Sequence, residues 1–203
     1  MLTPEQFVTR WQAEVLAKSS LPDDEVLVVA PADTLRNLER LESARRFLTS
    51  AGLPAACAPC LTFDELAQGL RRVWEVYSHG QWSDEQKSVL NQFGVIGSDG
   101  AGNPICLDER DGRVVLLDHE LLYHPNACGG ATMFMNSSLA QLAETLLAFH
   151  AELPPPQLLE RLRHIDPPAV AEGAFWHYEA MRPAELDEPE DVAANPKPWW
   201  KFW

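Results

Sequence analysis

Cys57-Ala58-Pro59-Cys60 has the two-residue spacing of a thiol-disulfide pair. Such pairs open a helix directly after a buried strand, so that the helix dipole lowers the pKa of the first thiol. Here the preceding residues are Gly52-Leu53-Pro54-Ala55-Ala56, and the next helix-start signal comes only at Thr62. The redox context is missing, and thiol-redox chemistry through Cys57 and Cys60 stands only as an alternative. Cys57, Cys60, His119, His124 and Cys128 are all zinc-ligand types, but there is a single C-x-x-C and His119 and His124 are not one helical turn apart. His119 lies between Asp118 and Glu120, a set capable of proton transfer, yet a histidine at a strand end is more often simply half exposed. No glycine-rich phosphate loop, serine elbow or paired-carboxylate helix is present. No catalytic residue, metal or cofactor is expected.

The remaining chemistry is charge. Asp99, Asp108, Glu109, Asp111, Asp118 and Glu120 crowd into one stretch, where only Arg110 and Arg113 oppose them. They punctuate three apolar runs: one ending at Val95-Ile96, one over Pro104 to Leu107, and one over Val114 to Leu117. Ser98 to Asn103 supplies turn residues, and Asp111-Gly112 signals a tight two-residue hairpin turn. Three antiparallel strands follow from this pattern. The six carboxylates fall at strand ends and turns and are expected to make one edge of the sheet negative, a surface that binds a partner.

That surface belongs to a chain of 203 residues with 30 acids against 16 lysines and arginines, a formal charge of −14. The balance disfavours nucleic acid and anionic membrane and favours a basic protein partner. Residues 183–203 carry five acids and two lysines, −3 of the total, which leaves −11 on the body. The start of the chain lacks a basic region followed by an apolar core, so a cytoplasmic location is expected. The uncharged run from Leu121 to Ala143 contains proline, glycine and asparagine and is rejected as a membrane span.

The elements that must position the surface are readable in part. Thr3-Pro4-Glu5-Gln6 is a capping box with proline at the first helical position, and Phe7, Trp11 and Val15 follow at four-residue spacing. Val26 to Ala30 is a short strand-like run. Leu38, Leu41, Arg45 and Leu48 form a helical stripe that stops at Gly52. Thr62 and Glu65 frame a second capping box, and Leu66, Leu70, Val73, Trp74 and Tyr77 predict a core helix behind it. Thr132 to Met135 predicts a strand, and Ser138 with Gln141 caps the helix carrying Leu139, Leu142, Leu146 and Phe149. Pro154-Pro155-Pro156 opens a helix through His164, and Pro167-Pro168 opens another to about Met181. Beyond it lies an acidic, proline-rich tail ending in Trp199-Trp200-Lys201-Phe202-Trp203.

The segments FLTSAGLP, IGSDGAGNPICLDERDGRVVLLDHE and FMNSSLAQLAETLLAF, in this order, resemble the SUKH superfamily of bacterial immunity and Smi1/Knr4-related proteins, most closely its fourth subfamily. The likeness is strongest over residues 40–150. It implies an α+β fold, a mostly antiparallel sheet flanked by helices, here one domain over residues 1–182 with extra C-terminal helices and a separate tail over 183–203. It further implies an immunity protein that binds and neutralises a cognate toxin, often a nuclease, without catalysis. A regulatory protein-binding adaptor of the same fold is the alternative. Residues Asp99, Asp108, Glu109, Asp111, Asp118 and Glu120 are the expected contacts.

Overall fold

The computed structural model describes residues 2–19, 25–35, 38–78, 82–122 and 132–182. The aromatic tail, His124 and Cys128 lie outside them. Helix α1 (Pro4–Trp11) starts where the capping box places it: Thr3 Oγ1 accepts from Gln6 N–H at 3.2 Å and Gln6 Oε1 accepts from Thr3 N–H at 2.9 Å. It continues as a π turn over Gln12–Leu16, which keeps Val15 on the buried face with Phe7 and Trp11. Strand β1 (Leu27–Val28) is followed by α2 (Glu42–Ser50), β2 (Leu53–Pro54), β3 (Ala56–Cys57) and β4 (Leu61–Phe63). Helix α2 ends at Gly52, whose φ of +70° suits glycine; an added Cβ would stand 2.0 Å from the Val28 carbonyl oxygen.

The helix predicted from Thr62 is not there. Leu61 and Phe63 point inward on either side of exposed Thr62, an alternation that serves β4, and Thr62 Oγ1 bonds to Ser98 rather than capping a helix. Leu66 and Gly69 then take left-handed backbone, φ +51° and +79°, which no helix continues through. The chain instead forms β5 (Arg71–Arg72) and one turn of helix, α3 (Val73–Val76). A second capping box, Ser83 with Gln86, opens α4 (Asp84–Leu90).

The three expected strands are β6 (Phe93–Asp99), β7 (Pro104–Asp108) and β8 (Val114–Leu117), with α5 (His119–Leu122) after them and β9 (Thr132–Asn136) beyond. The β7–β8 connection covers residues 109–113 rather than two, because Asp108 folds its own carboxylate back over the turn. The sheet is antiparallel in the order β3-β4-β6-β7-β8-β9, with β5 also paired to β6.

Both faces of this sheet are covered, which is why its strands read as unbroken apolar runs. Side chains alternate between two cores: Ile105, Leu107, Val114 and Leu116 pack under α6 (Leu139–Phe149) and its neighbours, while Cys106, Val115 and Leu117 pack with Val73, Leu90 and Leu122 of α3, α4 and α5. Helix α7 (Pro155–Ile165) follows as predicted. The next predicted helix is broken in two, a 3-10 turn (Pro167–Val170) and α8 (Phe175–Met181), at Gly173 with φ +88°. Mixed α and β with helices flanking an antiparallel sheet is the architecture observed.

Ser138 caps α6, accepting from Gln141 N–H at 3.3 Å, but Gln141 spends its side chain on the Ser138 hydroxyl and the Ile165 carbonyl instead of closing a reciprocal box. Behind this cap lies a buried polar cluster. Asn136 donates to Thr145 Oγ1 and Asp166 Oδ2, each at 3.2 Å, and accepts the Trp176 indole N–H at 2.8 Å. Asp166 also receives the Ser137 N–H and hydroxyl, both at 2.7 Å. The asparagine and serines before α6 are structural.

Candidate functional site

Antiparallel pairing sends the six candidate carboxylates to opposite ends of the strands, so they do not share one edge. Asp99 closes β6 and Asp118 and Glu120 follow β8, at one end. Asp108, Glu109 and Asp111 lie in the β7–β8 hairpin at the other, separated by the length of a five-residue strand, about 17 Å.

At the hairpin end every carboxylate meets a cation. Asp108 is 1% exposed and takes a bidentate grip from Arg110, Nε at 2.9 Å and Nη2 at 2.6 Å, besides the Arg110 N–H at 3.0 Å. Burial pushes its carboxyl up, but the Arg110 guanidinium and N–H, with Arg113 behind them, outweigh burial and hold it below the usual range. Arg110 in turn lies 6.0 Å above the Phe93 ring. Glu109 is clamped by Arg72 at 2.6 and 3.2 Å, and Asp111 pairs with Arg113 at 2.7 Å. Asp108 and Glu109 fasten the hairpin internally.

The opposite end holds its charge differently. Asp99 Oδ1 accepts the N–H groups of Ala101 at 3.0 Å and Asn103 at 2.8 Å, and Oδ2 accepts Asn103 Nδ2 at 2.9 Å. Asn103 Oδ1 faces His119, accepting its N–H at 3.0 Å and standing 2.8 Å from Nδ1, so that Nδ1 must carry the proton. His119 is thereby tied into the loop. Asp118 caps α5, taking Glu120 N–H at 2.9 Å. Backbone and amide dipoles orient these carboxylates without cancelling them; among the described residues no cation lies within ion-pair distance of Asp99, Asp118 or Glu120. The Tyr77 hydroxyl donates to the Gly102 carbonyl in the same loop. Glu179 of α8 is close enough to feel the charge: burial raises its pKa first, and Asp99 adds to the rise while Arg182 opposes it.

The two thiols sit in unlike surroundings, without the helix start that activates a redox pair. Cys57 is buried in β3, where desolvation drives its pKa far above the ordinary thiol range, and exposed Cys60 sits in a turn at φ +71°. Among the described residues no three histidine, cysteine or carboxylate side chains converge to hold a metal, and no helix is long and apolar enough to cross a membrane. A surface groove of about 810 Å³ between α6 and α7 is lined by Gln141, Glu144, Gln157, Glu160, Arg161 and His164. Its charges reach toward α1, where Glu144 acts on Arg10 and Arg161 on Glu14.

Residues 12–181 match the family model described as SUKH-4 immunity protein. No curated protein and no solved structure matches the chain.

Proposed function

The chain belongs to the SUKH-4 immunity protein family, and from that membership we propose that it neutralises a basic bacterial toxin, a nuclease being the chemistry that best fits a basic partner, by occluding its working surface in the cytoplasm. Binding is the whole of the activity in this reading, and no substrate is transformed. Asp99, Asp118 and Glu120 steer the encounter; Asp111 contributes at the far end, partly offset by Arg113, and Asp108 and Glu109 support it by fixing the hairpin. The observation that carries the reading is the end of the sheet where Asp99 and Asp118 accept from backbone and amide N–H groups and, among the described residues, no cation pairs with them. A charged face of this kind raises association rates 10-fold or more at low salt, and salt removes the gain. The net charge of −14 argues against direct contact with nucleic acid.

The test starts from the adjoining reading frames: a C-terminal toxin domain encoded there is the partner to use. Its association rate with the wild type should fall steeply between low and high salt. Asp118→Lys with Glu120→Lys should slow association about tenfold at low salt, whereas Asp111→Lys should do less. An unchanged rate at low salt would remove this end of the sheet from the proposal, and an adjoining frame with no toxin would favour a general adaptor.

A further inference from the structure

The two sheets of the molecule meet at one residue. Ala55 donates its N–H to the Val26 carbonyl at 2.7 Å and accepts the Phe63 N–H at 3.0 Å, so β1 is the outermost strand of a surface that runs on through β4. The register pairs Leu27 with Pro54 and Val28 with Leu53. Since the pair formed by Val26 and Ala55 is hydrogen-bonded, alternation makes the pair of Leu27 and Pro54 non-bonded, which is why a proline fits there. The same alternation turns the N–H and C=O of Leu27 and Val29 away from β2.

This outer edge is apolar. Val26 is 47% exposed and Val29 48%, with Leu27 and Val28 half-buried between them. Edge strands are ordinarily blunted by shortness, lysine, proline or a bulge; Val26 to Ala30 carries no lysine, proline or bulge, and the two-residue length of β1 is its one protection. The inner side, by contrast, is tightly closed by Gly52.

We propose that the outer edge of β1 receives an extended strand from the basic partner protein, which adds to the sheet through the backbone of Leu27 and Val29 and covers Val26 and Val29. The inference rests on the toxin-binding reading. Charge selects the occupant: a second copy of a chain carrying −14 would be repelled, whereas a strand flanked by lysine or arginine is attracted. An edge this short also buries too little to hold two copies together by itself. The long-range pull of the carboxylates and the short-range pairing at β1 are thus separable.

The experiment measures binding of the same adjoining-frame toxin domain to the full chain and to two variants of equal charge change. Val29→Lys places a charge on the edge, and Val89→Lys places one at a similarly exposed valine on α4. Val29→Lys should weaken binding about tenfold or more and Val89→Lys should not. Independently of any variant, the amides of Leu27 and Val29 should exchange rapidly in the free wild type and at least about tenfold more slowly in the complex. Equal affinity of the two variants, or unaltered exchange at Leu27 and Val29 in a complex that does form, overturns strand addition and leaves the toxin reading standing. Failure of the wild type to bind at all overturns both.

Discussion

Trp176 on α8 donates its indole N–H to Asn136 Oδ1 at the end of β9, 2.8 Å away and fully buried, and this bond ties the last helix to the last strand. The amide end of the same asparagine reaches Thr145 on α6 and Asp166 after α7, so one side chain serves four elements.

Asn136→Ala therefore removes the acceptor of the Trp176 indole and the donor to Thr145 at once, and takes one of three donors from Asp166, which keeps the Ser137 N–H and hydroxyl. Each unsatisfied group costs about 1–3 kcal/mol, and the substitution should lower unfolding free energy by about 3 kcal/mol in urea titrations. Ser138→Ala removes only the α6 cap and should cost about 1 kcal/mol. Similar losses for the two would show that the cluster is no more than a cap.

Asp108 should prove to be an internal strut. Its folded pKa lies below the unfolded value, so its contribution is present above about pH 4 and is lost as pH falls through the folded value. Asp108→Asn should be less stable than wild type by about 1–3 kcal/mol at neutral pH, with the gap closing in strong acid. A variant of full stability and slower toxin association would instead make Asp108 a contact.

His150 gives the opposite sign from most paired histidines. It stands 3.7 Å from Glu25 with Trp11 edge-on at 5.0 Å, and among the described residues neither His150 Nε2 nor Glu25 Oε2 has a hydrogen-bond partner. Burial lowers its pKa from 6.5, while Glu25 and Glu152 pull it back upward. The fold thus prefers the neutral ring: its stability is complete above about pH 6.5 and declines as pH drops through the lowered folded value. His150→Leu should flatten the melting temperature between pH 7 and 5, and a wild type that melts higher at pH 5 than at pH 7 would contradict this account.

Much of the architecture was legible because short-range chemistry decided it. Thr3 with Gln6, Gly52 and Ser138 each end or start a helix for reasons confined to a few neighbouring residues. The segment from Thr62 to Tyr77 imitates a helix because Leu66, Leu70, Val73 and Tyr77 recur at helical spacing, while what decides it is left-handed backbone at Leu66 and Gly69 and the pairing of Leu61 to Phe63 with Gly97 to Asp99 of β6, a strand far along the chain. The helix at Asp84 is signalled just as locally, since Ser83 and Gln86 spell the same capping signature as Thr3 and Gln6. For the carboxylates, residue type was visible and placement was not. Whether an acid keeps its charge depends on its partner, and Arg72, which neutralises Glu109, comes from a distant part of the chain.

Along β6 to β8, cations pair with the acids at one end, and among the described residues none pairs with the acids at the other, so the charge is graded along the strands. On the binding reading proposed above, a positively charged partner would exert torque as well as attraction on that gradient. Orientation, which ordinarily limits how often a collision succeeds, would then be settled during approach.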